Sequence, residues 1–417
     1  MKKAAFYTLG CKVNQYETEA MAELFADSGY EIKEFTEVAD VYVINTCSVT
    51  NMGDRKSRQI IRRAKKLNPN AVIAVTGCYA QTAPDEVLAI EGVNLVLGTK
   101  DRKNIVTLVE ELNTESNINH VSDIMSNHEF EELQIKQYSN RTRAFIKIQE
   151  GCNQFCSYCI IPYARGPVRS RAKDDVVREI KELAHNGFKE IILVGIHVAS
   201  YGVDLGNTTL ESLIMDVDKI DGVERIRLSS IEPMTLNQEF IDSIKDSKKL
   251  CHHFHISLQS GCDETLKRMN RKYTTAQFKG IVDGLREAFD DVAITTDIMV
   301  GFPDESDEEF NRENVKGYKK VKLKDNEVLI RKGFADSEGY KIGDQANLDG
   351  DYVIKGTFPD GLGVDYVMSD KGCKMLMCEQ IYMDSACYSY TDNIPETKKY
   401  YKKISSKYLE KFEPVMT

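Results

Sequence analysis

The sequence predicts an α/β protein made of two successive parallel-sheet parts and closed by a small β-rich segment. Three observations predict it. Short apolar runs alternate with amphipathic helical stretches up to residue 112, and again from residue 143 to about 300. A polar, weakly periodic stretch separates the two series. After about residue 310 the alternation gives way to short segments punctuated by Gly-Asp and Asp-Gly turns. The expected pieces are residues 1–113, a linker at 114–142, a second α/β part at 143–310 and a β-rich tail at 311–417.

In the first part, strands are expected at residues 3–9, 41–47, 71–78 and 94–98. Helices are expected at 17–27, 55–67, 84–90 and 101–112, with Ala20, Met21, Leu24 and Phe25 sharing one face of the first. Such alternation implies a parallel sheet of flavodoxin-like type. Three of its strands run into a cysteine: Cys11, Cys47 and Cys78. The carboxyl ends of parallel strands line one edge of a sheet, where ligands sit, so these cysteines should converge there.

In the second part, strands are expected at 144–149, 190–194, 225–229, 253–258 and 292–300, with helices at 174–186, 210–219, 236–245 and 275–288 between them. Repeated strand–helix units with right-handed crossovers make a parallel (β/α) barrel or part of one. Its first strand leads into Glu150-Gly-Cys-Asn-Gln-Phe-Cys-Ser-Tyr-Cys159, which sets Cys152, Cys156 and Cys159 at C-x3-C-x2-C. Three thiolates on so short a turn can bind one soft metal centre, and iron–sulfur clusters favour thiolates. A cluster held by three would keep one iron open. Zinc with a distant fourth ligand is the rival reading.

Of the 417 residues, 42% are hydrophobic and 29% charged, the balance of a soluble globular protein. No apolar run of 18 residues or signal-like leader is read, so a cytoplasmic protein without a membrane segment is expected. Eleven cysteines then point to metal binding in a reducing compartment rather than to disulfides. A net charge of −10 argues against a chain that coats nucleic acid generally, but it allows a local basic face. Two candidates for such a face are Arg55, Arg58, Arg62 and Arg63 on the second helix, and Arg165, Arg169 and Arg171 after the cysteine loop.

Several stretches together resemble one family. Thr8-Leu-Gly-Cys-Lys-Val-Asn-Gln-Tyr-Glu17, Asn45-Thr-Cys-Ser-Val-Thr50 and Thr76-Gly-Cys-Tyr-Ala-Gln81 are similar to the N-terminal domain of the radical S-adenosylmethionine (SAM) methylthiotransferases. The cysteine loop, Arg165-Gly-Pro-Val-Arg-Ser-Arg171, Gly195-Ile-His-Val-Ala-Ser-Tyr-Gly202, Ser229-Ser-Ile-Glu-Pro233, His255-Ile-Ser-Leu-Gln-Ser-Gly261 and Thr296-Asp-Ile-Met-Val-Gly-Phe-Pro303 continue the likeness in order, to about residue 310.

The resemblance implies a flavodoxin-like domain, a partial radical SAM barrel and two [4Fe–4S] clusters. One cluster, on Cys152, Cys156 and Cys159, would bind SAM and reduce it to a 5′-deoxyadenosyl radical. The other, on Cys11, Cys47 and Cys78, would carry the sulfur to be inserted. Tyr158, Gly195, Ser229, Glu232, Gln259, Asp297 and Gly301 would contact SAM, with His197 as a hydrogen-bonding barrel residue. The implied partners are tRNA, an electron donor of flavodoxin or ferredoxin type, and a sulfur donor.

The wording after Gly10-Cys11 resembles the bacterial branch that acts on N6-threonylcarbamoyladenosine at position 37 of tRNA (t6A37). Branches acting on isopentenyl-adenosine or on a ribosomal protein are the alternatives. After residue 310 the family's wording stops, and its final barrel strand and RNA-binding β-barrel are not read. An inactive cluster-binding fusion is therefore a further alternative. Cys373, Cys378 and Cys387 in this tail are read as ordinary cysteines.

Overall fold

A computed structural model describes residues 1–48, 51–112, 117–133, 135, 143–299, 301–306, 309, 327–331, 341–347, 351–358, 366–369 and 389–390. The tail cysteines Cys373, Cys378 and Cys387 lie outside these residues. The protein divides into two compact units, Met1–Ile298 and Met299–Thr417. The first α/β part, the stretch read as a linker and the second α/β part as far as Ile298 thus form one unit, and residues 299–310 fall with the tail.

The first sheet contains β1 (Lys3–Thr8), β2 (Glu31–Lys33), β3 (Val41–Thr46), β4 (Val72–Gly77), β5 (Leu95–Leu97) and β6 (Ile118–His120), in the order β2-β1-β3-β4-β5-β6. All neighbours are parallel. The order reverses between β1 and β3, as in a flavodoxin-like sheet, and that switch point is where such sheets open a crevice. Every residue of β3 is buried, which explains why Val-Tyr-Val-Ile carries no polar alternation.

The helices of this part are α1 (Lys12–Asp27), α2 (Asn51–Leu67), α3 (Cys78–Thr82), α4 (Pro84–Leu88) and α5 (Ile105–Glu110). Besides the short helix α3, two of its strands fall outside the expected pattern. The strand β2 is only three residues long, and two of the three are charged. The strand β6 lies inside the stretch read as a linker, where it pairs with β5. Leu133 and Ile135, also in that stretch, are buried in the main core. Its described residues are docked by a few apolar side chains, too few to show a period in so polar a sequence.

The second sheet contains β7 (Arg143–Glu150), β8 (Arg169–Ser170), β9 (Glu190–Gly195) and β10 (Arg225–Leu228), in the order β10-β9-β7-β8. The strands β11 (His253–His255) and β12 (Ala293–Thr295) form a parallel pair. Isolated parallel bridges at Ile226–Leu250 and Ile231–Ile256 carry the pairing from β10 toward β11. The parallel strands therefore follow one another in chain order, the signature of a barrel wall rather than of a doubly wound sheet.

The accompanying helices are α6 (Ile161–Arg165), α7 (Lys173–His185), α8 (Leu210–Asp218), α9 (Gln238–Ile244), α10 (Asp263–Arg268) and α11 (Thr275–Ala288). Both α8 and α11 start with a capping box, at Thr209 and Thr274.

Helix α1 joins the two sheets. Its Met21 and Phe25 pack in one core with Val41 and Val43 of β3. Its Val13 packs on Phe145, Ile192 and Val194 of β7 and β9, and Tyr16 and Ala20 enter the large core of the second part. A helix with apolar groups on two faces must be covered on both, which is why the first two parts do not separate.

The second unit carries a five-stranded sheet in which β13 (Glu327–Arg331) lies between β15 (Asp351–Phe358) and β16 (Tyr366–Ser369). The strands β14 (Gln345–Asn347) and β17 (Ser389–Tyr390) form its edges. A β-rich tail was expected from its turn signals.

Candidate metal centre and SAM site

Each cysteine trio occupies the carboxyl-terminal edge of its sheet. Cys11 precedes the first residue of α1 and is the third residue after β1, Cys47 directly follows β3, and Cys78 directly follows β4. Cys11 is exposed, Cys47 half-buried and Cys78 buried.

The strand ends are locked together by buried polar groups. The Asn14 amide donates to the Leu9 carbonyl at 2.7 Å and to the Thr46 carbonyl at 2.9 Å. The Thr46 hydroxyl donates to the Thr76 carbonyl at 2.5 Å. Gly10, at φ +103°, lets Cys47 approach: a Cβ there would lie 2.9 Å from the Cys47 sulfur.

The second trio lies on the loop between β7 and α6. Gly151 has φ +76°, and a Cβ on it would fall 1.8 Å from the Pro167 carbonyl oxygen. The Cys152 amide donates to the Gly166 carbonyl at 3.0 Å. From the other side, the Ser157 amide donates to the Met269 carbonyl at 3.1 Å, and the Asn270 amide to the Phe155 carbonyl at 2.7 Å. The loop is thus clamped between the Gly166–Pro167 turn and the end of α10.

Burial pushes the Cys78 and Cys152 thiols up to about 11, and Cys159 is raised for the same reason. Metal binding would deprotonate all three.

Cys11 and Cys47 stand close enough to Cys78 to raise it further, and Cys156 and Cys159 do the same to Cys152. Each trio offers an all-thiolate donor set, the kind iron–sulfur clusters favour.

A buried charge network runs between the trios. Arg165 is fully buried and donates to Glu17 at 2.6 Å, Glu150 at 2.7 Å, Asn14 at 2.5 Å and the Cys78 sulfur at 3.3 Å. Arg102 pairs with Glu17 at 2.5 Å and Glu131 at 2.8 Å, and Lys147 bridges Glu17 and Glu150. Arg169 donates to the Arg165 and Pro167 carbonyls, both at 2.9 Å. Arg171 pairs with Glu179 of α7.

These positions correct the reading of Arg165, Arg169 and Arg171 as phosphate contacts. All three are interior and hold carboxylates or carbonyls of this chain. On α2, Arg62 and Arg63 are exposed, as are Lys56 and Lys66, whereas Arg55 and Arg58 are half-buried and Arg58 donates to the Tyr79 hydroxyl at 2.9 Å.

Beside the second trio, Arg271 donates to the Cys156 sulfur at 3.2 Å, to Glu232 at 2.6 Å and to the Ser257 carbonyl at 3.1 Å. Nothing in its local sequence singled it out, since its partners come from three separate strand ends.

Glu232 is raised by burial, although Arg271 pulls the other way. Burial and the Arg271 charge push His197 down to about 4, leaving a neutral imidazole. The His197 Nε2 and the Ser229 hydroxyl are buried without a hydrogen-bond partner, a state expected where a polar ligand is to be received.

Gly195, Ser229, Gln259 and Asp297 follow or end β9, β10, β11 and β12, so they share this edge. Gln259 adopts a left-handed φ of 69°, and its amide donates to the Asp297 carbonyl at 2.9 Å. Tyr158, on the cysteine loop, is 41% exposed. Gly301 lies in the second unit.

Five parallel strands in chain order, with a three-cysteine loop at the end of the first, are the arrangement of a radical SAM barrel, and the comparisons with known proteins show the class. The family model for the radical SAM superfamily matches residues 146–312, and a second, described as "Uncharacterized protein family UPF0004", matches residues 3–98. The chain is 50% identical over 312 residues to "Threonylcarbamoyladenosine tRNA methylthiotransferase MtaB" of Bacillus subtilis, covering 74% of this chain and 69% of that one. It is 42% identical to the protein of that name from Aquifex aeolicus, over 74% of this chain and 75% of the other. To "tRNA-2-methylthio-N(6)-dimethylallyladenosine synthase" of Thermoanaerobacter pseudethanolicus it is 39% identical, over 73% and 66%.

Among solved structures, the radical SAM methyltransferase TsrM of Kitasatospora setae, with cobalamin and a [4Fe–4S] cluster bound, superposes with a TM-score of 0.54 at 17% identity, covering 74% of this chain and 71% of that one. This likeness concerns the fold.

The chain belongs to the radical SAM methylthiotransferase family. It is an enzyme of that kind, and its cofactors are SAM and two [4Fe–4S] clusters.

Proposed function

We propose that the chain is a tRNA methylthiotransferase that adds a methylthio group to C2 of N6-threonylcarbamoyladenosine at position 37 of tRNA. The observation that carries this is the 50% identity to a Bacillus subtilis enzyme named for that nucleoside, against 39% to one named for dimethylallyladenosine. The second identity keeps isopentenyl-type adenosine as the runner-up substrate.

Cys152, Cys156 and Cys159 hold the SAM-binding cluster in this reading, and Cys11, Cys47 and Cys78 the auxiliary one. Bound there, the clusters and SAM supply the electron, the radical and the sulfur that C–H methylthiolation requires, chemistry that acid–base side chains cannot provide.

The protein's own part is to position and to exclude water. The unpartnered Ser229 hydroxyl and His197 Nε2 are available to hydrogen-bond SAM. Glu232, held by Arg271, offers a carboxylate to the SAM amino group. Gly195, Gln259 and Asp297 line the same strand-end edge, Gly301 follows soon after in sequence, and Tyr158 presents a ring for adenine. Lys56, Arg62, Arg63 and Lys66 on α2 are exposed cations suited to tRNA phosphates.

Partners in this reading are tRNA, a flavodoxin- or ferredoxin-type electron donor and a sulfur donor. The setting is the cytoplasm, consistent with the lack of any helix among the described residues long and apolar enough to cross a membrane.

The test is nucleoside mass spectrometry of tRNA from a strain lacking its own methylthiotransferase genes and complemented with this chain. Appearance of 2-methylthio-N6-threonylcarbamoyladenosine supports the proposal. Appearance of the methylthiolated isopentenyl nucleoside instead selects the runner-up; unmodified tRNA with both clusters present and no SAM cleavage selects the inactive fusion, and unmodified tRNA beside a methylthiolated ribosomal protein selects that branch.

A further inference from the structure

We propose that Arg165 is a positioning residue that sets the reduction potential of the auxiliary cluster, through a hydrogen bond to the Cys78 sulfur and a fixed positive charge beside it. The inference rests on the assignment of Cys11, Cys47 and Cys78 as cluster ligands.

Its first support is geometric. A guanidinium has five N–H donors. Here two on one terminal nitrogen serve Glu17 and Glu150, two on the other serve Asn14 and Glu17, and the fifth, on Nε, points to Cys78 at 3.3 Å. No donor is idle, so the fork cannot turn away from the sulfur without breaking buried ion pairs.

The second support is charge balance. The network around Arg165 holds four cations, Arg102, Lys147, Arg165 and Arg169, against three carboxylates, Glu17, Glu131 and Glu150. Among the described residues, these ion pairs leave one cation in excess. Three thiolates outweigh the charge of an oxidised cube, so a cluster bound at Cys78 is anionic and offsets that surplus.

Reduction by one electron, supplied by dithionite or a physiological donor, adds a negative charge to the cluster. A donor and a cation at the sulfur stabilise that reduced form and raise the potential. Arg271, donating to Cys156 at 3.2 Å, stands in the same relation to the other trio and serves as an internal control.

The test is an anaerobic potentiometric titration followed by electron paramagnetic resonance. The full chain carries Cys152→Ala, Cys156→Ala and Cys159→Ala, so that only the auxiliary cluster assembles. Arg165→Lys keeps a charge but not the fork, and Arg165→Gln keeps neither. The expected result is a midpoint potential shifted to more negative values in Arg165→Lys and further in Arg165→Gln, with no shift in Arg271→Lys. Four-iron clusters with an unchanged potential in both Arg165 variants, or an equal shift in Arg271→Lys, would overturn the proposal.

Where the Arg165 variants do not fold, the same triple-alanine chain with Arg165 intact, which lacks the cluster beside Arg271, is grown with 15N-arginine and reduced. Hyperfine coupling of the cluster to an arginine 15N supports the contact, and its absence overturns it. If the chain with Arg165 intact binds no iron at this trio, the cluster assignment fails and takes the inference with it.

Discussion

Glu17 and Arg165 meet at 2.6 Å, both fully buried, although 148 residues separate them. Glu17 belongs to α1 of the first part and Arg165 to α6 of the second, so the pair joins the two cysteine-bearing sheets from inside. Replacing Glu17 by Gln removes one partner from a buried network and leaves cations uncompensated. A loss of about 3–5 kcal/mol is expected, read by denaturant unfolding of the cluster-free chain.

The same carboxylate predicts a pH dependence. Burial alone would raise Glu17, but Arg102, Arg165 and Lys147 outweigh it and hold the group at about 2. Its value in the unfolded chain is about 4.3. A depressed folded value means the stabilisation is complete above the unfolded value and fades as pH falls toward the folded one. The stability gap between wild type and Glu17→Gln should therefore be constant from pH 7 to about 5 and shrink below that. A gap that stays constant down to pH 3 would contradict the pairing.

The placement of the cysteines was legible because strand-end positions follow simple rules. The strands β3 and β4 are short apolar runs that end at a cysteine, and parallel topology brings such ends together wherever they lie in sequence. The arginines were misread for an equally physical reason. A cluster of Arg165, Arg169 and Arg171 looks the same in sequence whether it faces phosphate or buried carboxylates. The available clue was Asn14 and Glu17, polar residues one turn apart on the face of α1 that also carries Val13. Arg271 had no such clue. The described residues of the stretch read as a linker showed no period because the side chains that dock them, such as Ile124, Leu133 and Ile135, are scattered.

The two trios predict separable losses. Cys152→Ala with Cys156→Ala and Cys159→Ala should halve the iron content from about eight to about four per chain and abolish 5′-deoxyadenosine production. The corresponding triple change at Cys11, Cys47 and Cys78 should also halve the iron, yet leave SAM cleavage measurable and abolish methylthiolation. Loss of SAM cleavage in both would argue against separate roles.

Gly151→Ala should dismantle the cysteine loop. Its Cβ would meet the Pro167 carbonyl oxygen at 1.8 Å, on a backbone already at φ +76°. Strain alone costs about 1–3 kcal/mol, and the clash adds to it. Gly187→Ala is the control: φ is +93°, but nothing lies within 4 Å of the added carbon. Iron content and Tm should fall markedly in the first variant, with only a modest fall in Tm in the second.

The exposed end of α2 predicts a salt-dependent effect on tRNA. Arg62→Glu with Arg63→Glu should weaken binding and lower the slope of log affinity against log salt by about 0.7–0.9 for each phosphate no longer neutralised. Filter binding across a salt series checks this, and an unchanged slope would remove α2 from the tRNA interface.

The most direct measurement is turnover in vitro. The anaerobically reconstituted chain, with SAM and dithionite, is given tRNA bearing N6-threonylcarbamoyladenosine, and its nucleosides are resolved by mass spectrometry. Conversion to the 2-methylthio nucleoside, abolished in each cysteine triple variant, is the predicted result. Unmodified tRNA from a preparation with both clusters in place and SAM being cleaved would contradict the account.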